Sequence, residues 1–103
     1  MTLEEFINLF NGTHLPIAFD HFKVSQKLPY LVYIVTTNTT FPADNKVYHL
    51  HPTIQLELYM ELKTEETEQE VEAILDSVPF VYTKDEGYLT DEQMYMVTYQ
   101  FDL

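Results

Sequence analysis

Apolar and polar positions alternate most regularly between residues 48 and 62. There Tyr48, Leu50, Ile54, Leu56, Leu58, Met60 and Leu62 fall on even positions, with His49, His51, Gln55, Glu57 and Glu61 between them. A period of two is that of a strand with one buried face. Upstream, Tyr30-Leu31-Val32-Tyr33-Ile34-Val35-Thr36 is an unbroken run of apolar, β-branched and aromatic residues, which predicts a central strand buried on both faces. Helical spacing occurs twice. Leu3, Phe6, Ile7 and Phe10 share one face, Thr2 and Glu5 are spaced as a capping box, and Gly12 is placed to end a helix from about 3 to 11. Val71, Ile74, Leu75 and Val78 predict a second helix over about 65–78, which Thr64 or Thr67 can cap and Pro79 closes.

Three shorter segments complete the pattern. Pro16 to Phe22 is rich in large apolar groups but too brief for a stable helix, so it reads as a first strand. Phe80 to Lys84 and Met94 to Leu103 read as two more, joined by a turn through Asp85-Glu86-Gly87 and a polar connection near Thr90-Asp91-Glu92. In the last of these Tyr95, Val97, Tyr99, Phe101 and Leu103 share a face. The expected order is α-β-β-β-α-β-β with mostly antiparallel pairing, in a single α+β domain spanning 1–103. No internal repeat, low-complexity segment or linker divides the chain.

The alternation over 48–62 is longer than the domain. At about 3.3 Å per residue it would span about 50 Å, against a diameter of roughly 33 Å for a compact domain of this size. Pro52 cannot donate to a ladder and marks a bulge, bend or edge. These two facts predict an arm from about 37 to 51 that projects beyond the sheet, with Asn38, Pro42, Asp44 and Asn45 at its tip.

Composition narrows the function classes. Of 103 residues, 46% are hydrophobic, well outside the range that keeps a chain disordered. Seventeen Asp and Glu against five Lys and Arg give a net charge of −12, which repels phosphate backbones and anionic membranes and favours partners with basic faces. Acids at 65, 66, 68, 70 and 72 sit in the first turns of the second helix, where its dipole favours them, so a solvated helix face accounts for much of the charge. The absence of cysteine removes disulfides, thiolate nucleophiles and Cys-ligated metals, and fits a reducing compartment. The N-terminus lacks a signal-peptide pattern and no apolar run is long enough to cross a bilayer, so the expectation is a soluble, unprocessed protein.

Candidate chemistry is sparse. His49 and His51 fall on one side of a strand and with Glu57 or Asp44 could hold a divalent metal, but a stable site needs three or four convergent ligands. The bland reading is surface histidines, and the expectation is no metal and no cofactor. His14 and His21 flank the first strand, and either could pair with Asp20, yet no serine in a strand-to-helix turn accompanies them. Two glycines, at 12 and 87, are too few for a phosphate-cradling loop. Asn11-Gly12-Thr13 and Asn38-Thr39-Thr40 match a glycosylation pattern that arises often by chance. The eight tyrosines, Tyr30, Tyr33, Tyr59, Tyr88 and Tyr95 among them, divide between packing and contact. The expectation is a protein that is not an enzyme and binds no specific nucleic-acid sequence.

Several phrases carry a resemblance: Pro16-Ile17-Ala18-Phe19-Asp20-His21-Phe22-Lys23, Leu28-Pro29-Tyr30-Leu31-Val32-Tyr33, and Phe41-Pro42-Ala43-Asp44-Asn45-Lys46-Val47-Tyr48. With Ile54-Gln55-Leu56-Glu57-Leu58-Tyr59 and Met94-Tyr95-Met96-Val97-Thr98-Tyr99, they resemble small tail proteins of long-tailed phages and prophages of Gram-positive bacteria, of the tail terminator or tail completion type. That resemblance implies a twisted antiparallel sheet with helices on one side. It also implies closure into a hexameric ring that caps the tail tube and joins it to the head connector, with a projecting hairpin reaching the neighbouring subunit. Its implied partners are further copies of itself, the major tail protein and head-tail connector proteins. Its implied place is the virion, assembled in the bacterial cytoplasm. Asp44, Asn45, Lys46, Tyr48, His49 and His51 are then the expected contact residues, since a strand edge leaving the globule can pair with another chain.

Two other readings compete. A head-completion or neck protein would share the structural class. An acidic DNA mimic would use the −12 charge to occupy a basic site on a host enzyme, although mimicry wants carboxylates spread along a face rather than gathered on one helix.

Overall fold

The structure is a computed structural model that describes residues 1–23, 26–37 and 52–103. Its elements run α1 (Leu3–Asn8), β1 (Ile17–Phe19), β2 (Tyr30–Thr37), β3 (Pro52–Met60), α2 (Glu65–Ser77), β4 (Thr83–Leu89) and β5 (Met94–Asp102). This is the expected α-β-β-β-α-β-β order of an α+β domain.

The strands form one sheet in the order β1-β2-β3-β5-β4. β2 pairs antiparallel with β3, β3 with β5, and β5 with β4. The sheet is not wholly antiparallel, because β1 runs parallel to β2, with Ile17 opposite Leu31 and Phe19 opposite Tyr33. A parallel neighbour requires the connection to cross back to the end from which β1 started, where an antiparallel one could turn tightly. β1 is also shorter than expected, three residues against seven.

Register divides the sheet into two faces. Leu31 faces Leu58 and Val97, Tyr33 faces Leu56 and Tyr99, and Val35 faces Ile54 and Phe101. This face carries the core, into which α1 sends Phe6 and α2 sends Val71 and Leu75. Both helices therefore cover the same side. The opposite face, through Tyr30, Val32, Ile34, Gln55, Glu57, Tyr59, Met94, Met96 and Thr98, receives neither helix.

Local chemistry explains the boundaries. Thr2 and Glu5 form the expected capping box, each side chain accepting from the other's backbone N–H at 3.1 Å. α1 ends at Asn8 rather than near 11. From there tighter bonds take over, from Leu9 to Phe6, Phe10 to Ile7 and Asn11 to Asn8, the short-pitch winding common at helix ends. Thr64 has the extended backbone of an N-cap but its hydroxyl bonds the Leu62 carbonyl instead of the helix.

Other strand boundaries differ from expectation, and β4, expected over Phe80 to Lys84, runs Thr83–Leu89, so that Phe80–Tyr82 precede it. The alternation of β3 stops at Met60, and Leu62, expected on the core side, is 74% exposed. Asp85-Glu86-Gly87, expected to turn, lie inside β4, whose register against β5 is continuous from Thr83 to Leu89. The turn is the polar connection at Thr90–Gln93, where Gln93 takes a left-handed φ of 52°.

Candidate functional site

The residues expected to make contacts, Asp44, Asn45, Lys46, Tyr48, His49 and His51, lie outside the described residues, as does the arm from about 37 to 51 beyond Thr37. On either side of that segment, β2 and β3 stay in register up to the pair Thr37–Pro52. Among the described residues no three His, Asp or Glu side chains converge to hold a metal ion. Glu57, considered as a metal partner for the histidines, is otherwise engaged. Its Oε1 accepts from the Tyr59 hydroxyl at 3.0 Å and its Oε2 from Gln55 Nε2 at 3.0 Å. Asp20 and His21 do pair, Oδ2 to Nδ1 at 2.9 Å, but on an open surface. Asp20 there adopts a left-handed φ of 64°, which aspartate tolerates better than most residues.

A groove among the described residues lies on the uncovered sheet face and has a volume of about 510 Å³. Tyr30 and Val32 of β2, Tyr59 of β3 and Met94 of β5 line it together with Leu89 of β4. Asp20, Phe22 and Lys23 come from the loop after β1, and Glu92 from the β4–β5 turn. Phe22 meets Tyr30 edge-on at 5.3 Å, and Tyr30 and Tyr59 are tilted at 33° with centroids 5.3 Å apart. Burial, then the neighbouring Glu57 carboxylate, push the Tyr59 phenol well above its ordinary range, so it stays a neutral donor.

The signal for this groove was present in the sequence. The odd positions of β3 carry Gln55 and Glu57 and then Tyr59, an aromatic on the face that polar residues otherwise occupy. Met94 and Met96 likewise fall opposite the core face of β5.

A second cluster joins α2 to β4. Lys84 Nζ lies 2.9 Å from Glu68 Oε1, 3.0 Å from Glu72 Oε2 and 3.6 Å from Glu86 Oε1. The Tyr99 hydroxyl donates to the same Glu72 oxygen at 2.9 Å, and Lys63 pairs with Glu86. The acids of α2 are therefore not all a solvated face, because Glu68 and Glu72 point inward to a lysine. Glu68 sits three residues before Val71 and seven before Leu75, on the buried stripe of the helix. Burial draws the Lys84 ammonium down, but hydrogen bonds to Glu68 and Glu72 outweigh it and leave the group above its ordinary value. The arrangement has the character of a structural clamp.

Both sheet edges are free among the described residues. β1 ends one side and exposes Phe19 at 56%, while β4 ends the other and exposes Tyr88 at 50%. Just before β4, Val81 is 94% exposed. No helix of the described residues is long and apolar enough to cross a membrane.

No family model, curated protein or solved structure matches the chain.

Proposed function

We propose that this chain is a structural subunit of a long-tailed phage or prophage particle, of the tail terminator type, which closes into a ring and caps the tail tube beneath the head connector. The observation that carries this reading is the pair of free sheet edges. They lie on opposite sides of one sheet and differ from each other, a short one beside Phe19 and a longer charged one beside Tyr88. Two unlike free edges on opposite sides are compatible with head-to-tail association, which closes into a ring when the two edges fit and the rotation between copies permits. The resemblance in residues 16–23, 28–33, 41–48, 54–59 and 94–99 supports the same class. In this reading Asp44, Asn45, Lys46, Tyr48, His49 and His51 add a contact to the neighbouring subunit. The chain acts by assembly, in the virion, with the major tail protein and connector as its other partners.

Sedimentation across a concentration series tests the reading, followed by incubation with tubes of the major tail protein. The expected result is a closed oligomer that binds tube ends. A chain that stays monomeric throughout and leaves tube ends bare would overturn it. Tyr88→Glu, at an exposed edge position, should weaken the oligomer without unfolding the subunit.

A further inference from the structure

We propose that the groove on the uncovered sheet face binds a basic, apolar-containing segment of another protein, taking an arginine or lysine side chain over the Tyr30–Tyr59 floor. This goes beyond the tail reading and does not depend on it, since the groove lies on a face of the sheet and not at its edges.

Three observations converge on that occupant. The first is shape and lining. At about 510 Å³ the groove falls within the range of about 300–1,000 Å³ typical of ligand sites. Its floor and one wall are aromatic, with Tyr30 in contact with Phe22 on one side and Tyr59 on the other. Aromatic faces attract cations, arginine most often, and more strongly when water is partly excluded. Met94 and Leu89 give an adaptable apolar flank for an aliphatic neighbour of that cation.

The second is charge. Glu92 and Asp20 stand on the walls, Asp20 with His21 as its neighbour at 2.9 Å, Glu57 is bonded to the Tyr59 hydroxyl, and Lys23 is the one ammonium among the described lining residues. With a net charge of −12 on the whole chain, the surrounding field draws in a cation and rejects nucleic acid or an anionic membrane. The third is Gly87, which is outside the groove lining but faces Met96 on the same side of the sheet, next on that face to the Leu89–Met94 pair that does line it. A Cβ there would meet nothing within 4 Å and its φ is not left-handed, so the fold itself does not require glycine. A glycine inside a strand often marks the place where another backbone approaches closely.

The test is amide chemical-shift mapping of the full chain titrated with an amidated peptide that alternates arginine and leucine. Parallel titrations use the same peptide with citrulline in place of arginine, and one that alternates glutamate and leucine. Shifts are expected at Tyr30, Val32, Tyr59, Leu89 and Met94. Citrulline should weaken binding by roughly tenfold or more, and the glutamate peptide should not bind. Glu92→Lys, at an exposed turn position, should lower affinity several-fold while leaving the unfolding transition in place. Tyr59→Leu, which keeps an apolar floor but removes the ring, should do the same.

Shifts centred on the exposed acids Glu65 and Glu66, or equal binding of the citrulline peptide, would overturn the proposal by reducing it to general charge attraction or simple apolar contact. Concentration-dependent shifts of the groove residues without peptide would overturn it by showing that a second copy of the chain covers this face. Ring assembly is read by mass and this binding by residue-resolved shifts, so either proposal can fail alone.

Discussion

Lys84 Nζ lies 2.9 Å from Glu68 Oε1, and Glu68 is only 4% exposed. The pair fastens an edge strand with few apolar contacts of its own to the one long helix of the domain. Glu68 Oε2 has no hydrogen-bond partner among the described residues, so the lysine is the principal compensation there for a buried carboxylate. Removing one member of such a pair leaves the other uncompensated, which costs more than the pair contributes. Lys84→Met should therefore destabilise by about 2–3 kcal/mol, below the ~3–5 of fully buried pairs because Lys84 is itself about a third exposed. Adding Glu68→Leu should restore most of that loss. Denaturant unfolding of the two single variants and the double variant measures the coupling.

The same cluster predicts the alkaline limit of stability. Burial first, then the bond to Glu72, raise the Tyr99 phenol above its ordinary value, and Lys84 is also raised on balance. A group whose folded pKa exceeds its unfolded one contributes fully below the unfolded value, and that contribution is lost as pH rises through the folded value. Stability should accordingly hold up to about pH 10 and fall above it. Tyr99→Phe should start less stable and lose less between about pH 9 and 11. At the acid end, the bond to Lys63 holds Glu86 below its ordinary range. Its contribution is present above that range and fades as pH falls, but the pair is exposed to solvent and the effect small.

What the sequence disclosed, and what it concealed, follows from which residues are buried. Phe6, Leu56, Val97 and Phe101 lie where their spacing placed them, because one-sided burial imposes a period. β4 left no such trace: Thr83 through Tyr88 are all exposed, so nothing selects apolar residues there. Its charges instead follow from the edge position and from the clamp to α2. The parallel pairing of β1 with β2 is a long-range choice that no periodicity records. Glu68 could have been found, since it continues the stripe of Val71 and Leu75, but a glutamate among glutamates reads as solvated. Tyr59 could have been found as the aromatic on a polar face.

Gly87 offers a gain in stability. Its Cβ position is open and its backbone is not left-handed, so a side chain can start there unhindered and the chain loses less entropy on folding than with glycine. Gly87→Thr should stabilise by about 0.5–1 kcal/mol, seen as a higher midpoint in thermal unfolding.

Gln93 is the reverse case. At φ 52° it holds a conformation that costs a side-chain-bearing residue roughly 1 kcal/mol. Gln93→Gly should raise stability by up to about that amount, partly offset by the added freedom of the unfolded chain. Gln93→Val should lower it and loosen the Leu89–Met94 pair that closes the turn, visible as faster amide exchange there.

Phe6 decides whether the first helix belongs to the domain at all. Six residues are too few to hold a helix in water, so α1 persists through its cap and through Phe6, which is fully buried. Its ring meets Phe10 and Phe101 at 5.5 Å and Tyr33 and Phe80 at 6.3 Å. Truncating such a residue costs about 3–5 kcal/mol in lost transfer energy and cavity. Within the helix only the half-buried Leu3 and Ile7 also pack against the core, so Phe6→Ala should also release residues 3–8, with exchange protection lost there before the sheet unfolds. Phe6→Leu should cost less and keep the helix protected. If Phe6→Ala instead lowers global stability while α1 stays protected, the cap alone suffices to hold the helix.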